Sequence, residues 1–209
     1  PFLTWGRERI RTATLAETLA HPTWKMGPKI TVDSASMMNK GLEIIEAHHL
    51  FGFEETEIAV LVHPQSLVHS LVEYVDGTLI AQLSVNDMRF PILYALAWPD
   101  RMTSPLPPLD LVQAATLTFE APDPDRFPAL RLAREALRAG GEMPAVMNAA
   151  NEEAVASFLR EDCAFSAIAE TVEKVMGGWQ DRNRRLETLE QALEADRRAR
   201  RRAAEVLGV

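Results

Sequence analysis

A single cysteine, Cys163, stands among the 209 residues, so no internal disulfide can staple the chain and its stability has to come from packing. No motif around Cys163 supports a reactive thiol, and a small packing residue is the expectation. No apolar run approaches the ~18 residues of a membrane span, and no charged-then-apolar leader is present, so a cytoplasmic location without a membrane partner is expected. The glycine pattern G-x-G-x-x-G that cradles a dinucleotide is missing. Positive charge is also in deficit: 22 Lys and Arg face 30 Asp and Glu, for a net charge of −8. That balance argues against nucleic acid or an anionic membrane as the main partner, so any phosphate site must be local.

What is present suits an ordinary globular chain, with 47% hydrophobic and 25% charged residues and enough length for one core plus a satellite domain. Residues 21–43, HPTWKMGPKITVDSASMMNKGLE, concentrate side chains capable of chemistry: His21, Lys29, Asp33, Ser34, Ser36, Asn39, Lys40 and Glu43. Asp33-Ser34 reads as a helix start, because a short polar side chain there accepts a bond from an orphan backbone N–H. From Ala35 the pattern is helical, with Met37, Met38, Leu42 and Ile45 available for burial. Ser36, Asn39, Lys40 and Glu43 then share the opposite face at i, i+3, i+4 and i+7. With Ser34 and the helix dipole beside it, that face can hold a phosphate, and Glu43 a divalent cation. The plainer alternative is a solvated face whose Lys40–Glu43 pair contributes only about 0.2–0.5 kcal/mol.

Along the chain, residues 1–20 are polar with a short helix expected near 14–20. Residues 57–62 form a β-rich apolar run. Strands are expected over 66–75 and 78–85, joined by Asp76-Gly77, a hairpin signal because it tolerates positive φ. His63 and His69 resemble metal ligands on paper, but nothing at helical spacing supports that, and structural roles are expected. A loop and helix follow over 86–98, with Pro91 acceptable in a first turn. Pro99, Pro105, Pro107, Pro108, Pro122, Pro124 and Pro128 mark an extended linker. Helices are expected over 126–139, stopped by Gly140-Gly141, and over 144–160, 166–176 and 186–207, making a small bundle. Glu152 and Glu153 point apart on their helix and are not read as a metal pair. The arginines of 197–202 read as a solvated face with Glu187, Glu190, Glu194 and Glu205 as partners.

The literal run VDSASMMNKGLE, preceded by HPTWKMGPKI, resembles the HPxWxMGxKIxxDSAxxMNKGLE signature of the 1-deoxy-D-xylulose 5-phosphate reductoisomerases. The likeness continues through HPQSLVHSLVEYVDGTLIAQL, DMRFPILYALAWPDR and MNAANEEAVASFL, covering nearly the whole chain, which makes it far more specific than a lone motif. It implies an α+β fold: a catalytic domain over 1–97 with a mostly antiparallel sheet and an active-site lid over about 1–28, a Pro-rich linker over 98–125, and a small all-α helical bundle over 126–209. It also implies an NADPH-dependent and divalent-metal-dependent (Mg, Mn or Co) conversion of 1-deoxy-D-xylulose 5-phosphate to 2-C-methyl-D-erythritol 4-phosphate, an early step of non-mevalonate isoprenoid synthesis, by a cytoplasmic homodimer. Carried over by motif, Glu43 is the metal ligand, and His21, Ser34, Asn39, Lys40, Glu43 and Trp24 contact the phosphosugar. Glu43, Lys40 and His21 are the catalytic set, and Gly27 and Met88 lie by the NADPH; Lys29 is given no more than a supporting charge. Leu3 and Pro28 stand where the family usually has Arg, and Asn86 where it has Pro. Family members carry an NADPH domain and an Asp-Ser-Glu metal segment ahead of the stretch matching Pro1-Phe2, so the chain is expected to be the C-terminal part of a larger enzyme. Two other readings are a non-catalytic dimerisation and phosphosugar-binding module, and a helical interaction protein docking through the arginines of 197–202.

Overall fold

Apolar periodicity sets the second half of the chain. In the computed structural model, which describes residues 1–24, 26–180 and 184–209, helices α7 (Ala129–Ala139), α8 (Met143–Leu159), α9 (Phe165–Gly177) and α10 (Leu189–Leu207) form the expected bundle. Their ends follow local chemistry. Gly140 caps α7 at φ +65°, a conformation that favours glycine, and α8 opens with Pro144 in its first turn. Thr188 and Gln191 form a reciprocal capping box on α10. On α10 the buried stripe is Ala195, Ala199 and Ala203, small side chains at helical spacing that let α10 lie close along α8.

The first half contributes α1 (Arg7–Arg11), α2 (Leu15–Leu19), α3 (Pro28–Ala35) and α4 (Met38–Phe51). Met38 and Ile45 of α4 enter the bundle core with Leu132, Ala133, Met147 and Val175. Val32 and Ala35 of α3 join a second cluster with Phe2, Ile10, Val155, Phe158 and Phe165. Fully burying each of the Val, Leu, Ile, Met and Phe side chains among these contributes about 1.5–3 kcal/mol. Gly41 is where α4 touches α7: an added Cβ there would stand 2.9 Å from the Ala133 Cβ and 3.3 Å from the Ala129 carbonyl oxygen. Beyond Gly52, the left-handed cap of α4, a 3-10 turn over Glu55–Glu57 is clamped to α7. Arg134 donates to the Glu55 carboxylate at 2.5 Å and to the carbonyls of Glu55 and Ile58, and Arg138 reaches the other Glu55 oxygen at 3.0 Å.

The chain divides into two compact units, Pro1–Val60 with Pro122–Val209, and Leu61–Ala121. Contacts therefore group α3 and α4 with the bundle, whereas the sequence division grouped them with the strands. The second unit holds a hairpin of β1 (Val68–Glu73) and β2 (Leu79–Leu83), then α5 (Arg89–Ala97) and the single turn α6 (Leu111–Ala114). The strands pair antiparallel with a bulge between Val68 and Ser70, and Gly77 takes φ +81° in the turn while Asp76 accepts from the Thr78 N–H. The α+β class holds, with two strands among the described residues. The run at 57–62 does not form a strand; only Val62 bridges, to Glu120, and its start is drawn into the Glu55 clamp. His63 and His69 have the structural roles expected: His63 meets the Thr118 carbonyl at 2.8 Å and stacks on Phe119, and His69 meets the Ser84 carbonyl at 3.1 Å. Among the described residues no helix is long and apolar enough to cross a membrane.

Candidate active site

The site is built on the α3–α4 junction, and the junction is not where the sequence pattern puts it. Gly27 and Pro28 start α3, with the Thr31 hydroxyl donating to the Gly27 carbonyl at 2.9 Å, so Asp33 and Ser34 fall in the last turn of α3 instead of opening the next helix. Asp33 does not cap because it is drawn inward: its side chain is buried, accepts from the Asn151 amide at 2.9 Å and pairs with Lys29 at 2.8 Å. Met37 then takes the left-handed conformation, φ +62°, and α4 begins at Met38. Ser36 is the actual junction residue. It is buried, donates from Oγ to the Asp33 carbonyl at 3.2 Å and accepts from the Met38 N–H at 3.3 Å, so it does not share the exposed face of α4.

On α4, three of the expected face residues converge. The Asn39 amide donates to one Glu43 oxygen at 2.7 Å, and the Lys40 ammonium contacts the other. Lys40 and Glu43 remain 40% and 44% exposed, so their pairing is cheap to open and both charges stay reachable by a ligand. Asn39 and Lys40 also lie in the first turn of α4, where free N–H groups and the dipole favour an anion. Ser34 is half-buried on the adjoining turn of α3, and its hydroxyl has no partner among the described residues.

His21 and Trp24 come from the irregular segment between α2 and α3. The His21 Nδ1 accepts from the Thr23 and Trp24 backbone N–H groups at 3.2 and 3.0 Å, which leaves Nε2 to carry the ring proton as an outward donor. Partial burial pushes the His21 pKa below the ordinary imidazole value. Trp24 is half-buried and Gly27 exposed; Lys25, within the same motif, lies outside the described residues. Met88 precedes α5 in the second unit and is 57% exposed.

Among the described residues no group of three or more His, Cys, Asp or Glu side chains is placed to hold a metal. Glu43 is a hard oxygen donor with an exposed carboxylate, but alone it does not make a metal site, and no dinucleotide loop accompanies it. Glu152 is engaged by Arg200 at 2.5 Å and by Asn148. The arginines of 197–202 are mostly paired, with Glu194, Asp196, Glu152 and Glu205, though not with Glu187 or Glu190. Two contributions escaped the sequence reading. Asn151 anchors Asp33 from 118 residues away, and the Arg134–Glu55 clamp fixes the far end of α4. The first had a faint signal, an amide between Met147 and Val155 on the inward face of an apolar helix; the second had none.

A family model for the DXP reductoisomerase C-terminal domain matches residues 83–202, and another for the 1-deoxy-D-xylulose 5-phosphate reductoisomerase C-terminal domain matches residues 1–51. The reductoisomerase of Citrifermentans bemidjiense is 57% identical over 209 residues, 100% of this chain and 54% of that protein. That of Rhodospirillum centenum is 56% identical over 207 residues, 99% of this chain and 51% of its own. The solved reductoisomerase from Zymomonas mobilis in complex with NADPH superposes with a TM-score of 0.91 at 46% identity, covering 99% of this chain and 53% of that one. A DOX-P reductoisomerase crystallised with NADPH, fosmidomycin and magnesium superposes at 0.93 with 44% identity, covering 99% and 52%. This chain spans about half the length of the relatives it matches. With family models and near-complete coverage at this identity, joined to a fold that superposes throughout, the chain belongs to the 1-deoxy-D-xylulose 5-phosphate reductoisomerase family.

Proposed function

We propose that this chain is the phosphosugar-gripping part of an enzyme that rearranges and reduces 1-deoxy-D-xylulose 5-phosphate to 2-C-methyl-D-erythritol 4-phosphate with NADPH. The observation that carries this is the convergence of Asn39 and Lys40 on Glu43, on a turn shared with Ser34, in a chain that superposes on a reductoisomerase holding NADPH, fosmidomycin and magnesium. The Lys40 ammonium, Asn39 amide and Ser34 hydroxyl supply donors to the phosphate and neighbouring sugar oxygens. Neutral His21 donates from Nε2, adding polarity without adding charge. Phe2, Ile10 and Ala13 are buried in the core, so the lid is the segment between α2 and α3, where Trp24 gives an apolar surface that excludes water on closure; binding the phosphate far from the reacting carbons drives that closure. Glu43 releases Lys40 and offers its carboxylate as one metal ligand; the described residues do not complete the site. A divalent cation, magnesium, manganese or cobalt, polarises the substrate oxygens when bound, and NADPH supplies the hydride. Gly27 and Met88 are assigned to the nicotinamide side.

The functional division assigned is catalytic over 1–97, linker over 98–125 and bundle over 126–209, in a homodimeric cytoplasmic enzyme of the non-mevalonate isoprenoid route. Because no group of metal-holding side chains gathers around Glu43 among the described residues, a second reading has support: the chain by itself is a binding module without turnover. Thermal shift of the chain with 1-deoxy-D-xylulose 5-phosphate and, separately, NADPH tests both. Stabilisation by the phosphosugar without NADPH oxidation fits the grip; no response to the phosphosugar rejects it.

A further inference from the structure

We infer that Asn151 is the positioning residue of the α3–α4 turn, acting through Asp33 to set where Ser34, Asn39 and Lys40 point. The inference rests on the phosphosugar reading for its purpose but not for its geometry. Asn151 lies at the centre of α8 with no exposed surface, among Met147, Ala150, Ala154 and Val155, where an apolar side chain would pack without penalty. Its amide donates to Asp33 Oδ1 at 2.9 Å, while its own Oδ1 is buried and has no partner. Burying an amide with an empty acceptor costs stability, so the arrangement serves position more than folding energy.

What is positioned follows from the chain of bonds. Asp33 is hydrogen-bonded at one oxygen by Asn151, while the other makes no hydrogen bond and is balanced by the Lys29 ammonium 2.8 Å away. Its carbonyl accepts the Ser36 hydroxyl, and that hydroxyl accepts the Met38 N–H, the first helical residue of α4. Between them Met37 holds a left-handed backbone that a non-glycine residue adopts only when both sides are anchored. Ser34 follows Asp33 directly, and Asn39 follows Met38 directly. A shift of the Asp33 carboxylate therefore turns Ser34 and re-aims the first turn of α4. Asn151 touches no substrate in this account; it acts at one remove.

The test is Asn151→Ala in the whole chain, with Asn148→Ala as control, since Asn148 lies on the same helix, bonds Glu152 at 3.3 Å and does not touch Asp33. Hydrogen exchange at the amides of Ser36, Met37, Met38 and Gly41 should quicken about tenfold, the size expected from one lost buried hydrogen bond, while α7 and α9 stay protected. Affinity for inorganic phosphate should fall by a similar factor, and Asn148→Ala should change neither. If Asn151→Ala does not fold, Asn151→Ser, too short to reach Asp33, reports on the same amides. Unchanged exchange at the turn, or a uniform rise across α7–α10, overturns the inference. Selective loosening of the turn in a chain whose unsubstituted form binds no phosphate leaves the positioning intact and defeats the phosphosugar reading instead.

Discussion

Glu43 has both carboxylate oxygens engaged within its own helix, one by Asn39 and one by Lys40, yet almost half of its side chain faces solvent. Such a pair is worth about 0.2–1 kcal/mol, so the carboxylate is held ready more than it is locked. In a complete enzyme, Glu43→Gln should leave the thermal midpoint nearly unchanged and abolish metal-dependent turnover; retained turnover would sink the ligand assignment. Lys40→Ala should raise the KM for the phosphosugar by at least tenfold and leave that for NADPH within a factor of two, as expected for loss of a charge-assisted bond worth about 1.5–3 kcal/mol. Equal losses for both would mean the variant had misfolded. His21 gives a pH signature. Its folded pKa lies below that of the free imidazole, through burial, so the folded chain favours the neutral ring. The His21 contribution to order in its segment is complete above about pH 6.5, and is lost as pH falls through the depressed folded value, because the unfolded chain takes up the proton first. NMR titration of the His21 ring should give a midpoint under 6.5, and a midpoint at or above it contradicts the assigned hydrogen bonding.

At the scale of elements, the contact between α4 and α7 turns a usual rule around. Glycine to alanine inside a helix ordinarily stabilises by up to about 1 kcal/mol. At Gly41 the added methyl meets the Ala133 Cβ and the Ala129 carbonyl oxygen, both fixed to the α7 backbone and unable to swing away. Gly41→Ala should therefore destabilise by about 1–3 kcal/mol, read as a lower urea midpoint, and a gain in stability would mean that α4 and α7 lie further apart. Legibility in the sequence followed the same division between local and distant causes. The helices of 129–207 and the Asp76-Gly77 hairpin were legible because periodicity, capping and turn residues act within a few positions. The α3–α4 break was not, since Asp33 has the chemistry of a cap and only its distant partner Asn151 turns it inward. The start of α3 has a local signal, Pro28 in its first turn, which the reading of Asp33-Ser34 as a helix start passes over. Ser36 was misplaced for the same reason, whereas Asn39, Lys40 and Glu43 kept their helical register and did converge.

At the scale of the whole molecule, the two units differ in how they are held. Among residues 61–121 none is buried, and Leu71, Val72, Leu79 and Ile80 of the hairpin are each at least 40% exposed. A two-stranded hairpin without a buried face is marginal in water. Amides of β1 and β2 should exchange within seconds to minutes at neutral pH, while those of α8, with core residues on most of its faces, should be protected by orders of magnitude more. Comparable protection in both would show that the strands bury their faces against something further. The first unit, by contrast, is assembled from two stretches that the second unit separates in sequence. Asp33 meets a partner 118 residues downstream, and Glu55 one 79 residues downstream. During synthesis the α3–α4 turn thus leaves the ribosome long before the helices that shape it, and Met38 and Ile45 stay uncovered until α7 and α8 have emerged. Synthesis at about 5–20 residues per second is far slower than loop closure, so the interval in which this stretch can be captured by a chaperone or aggregate is set by translation speed from residue 61 to the end of α8.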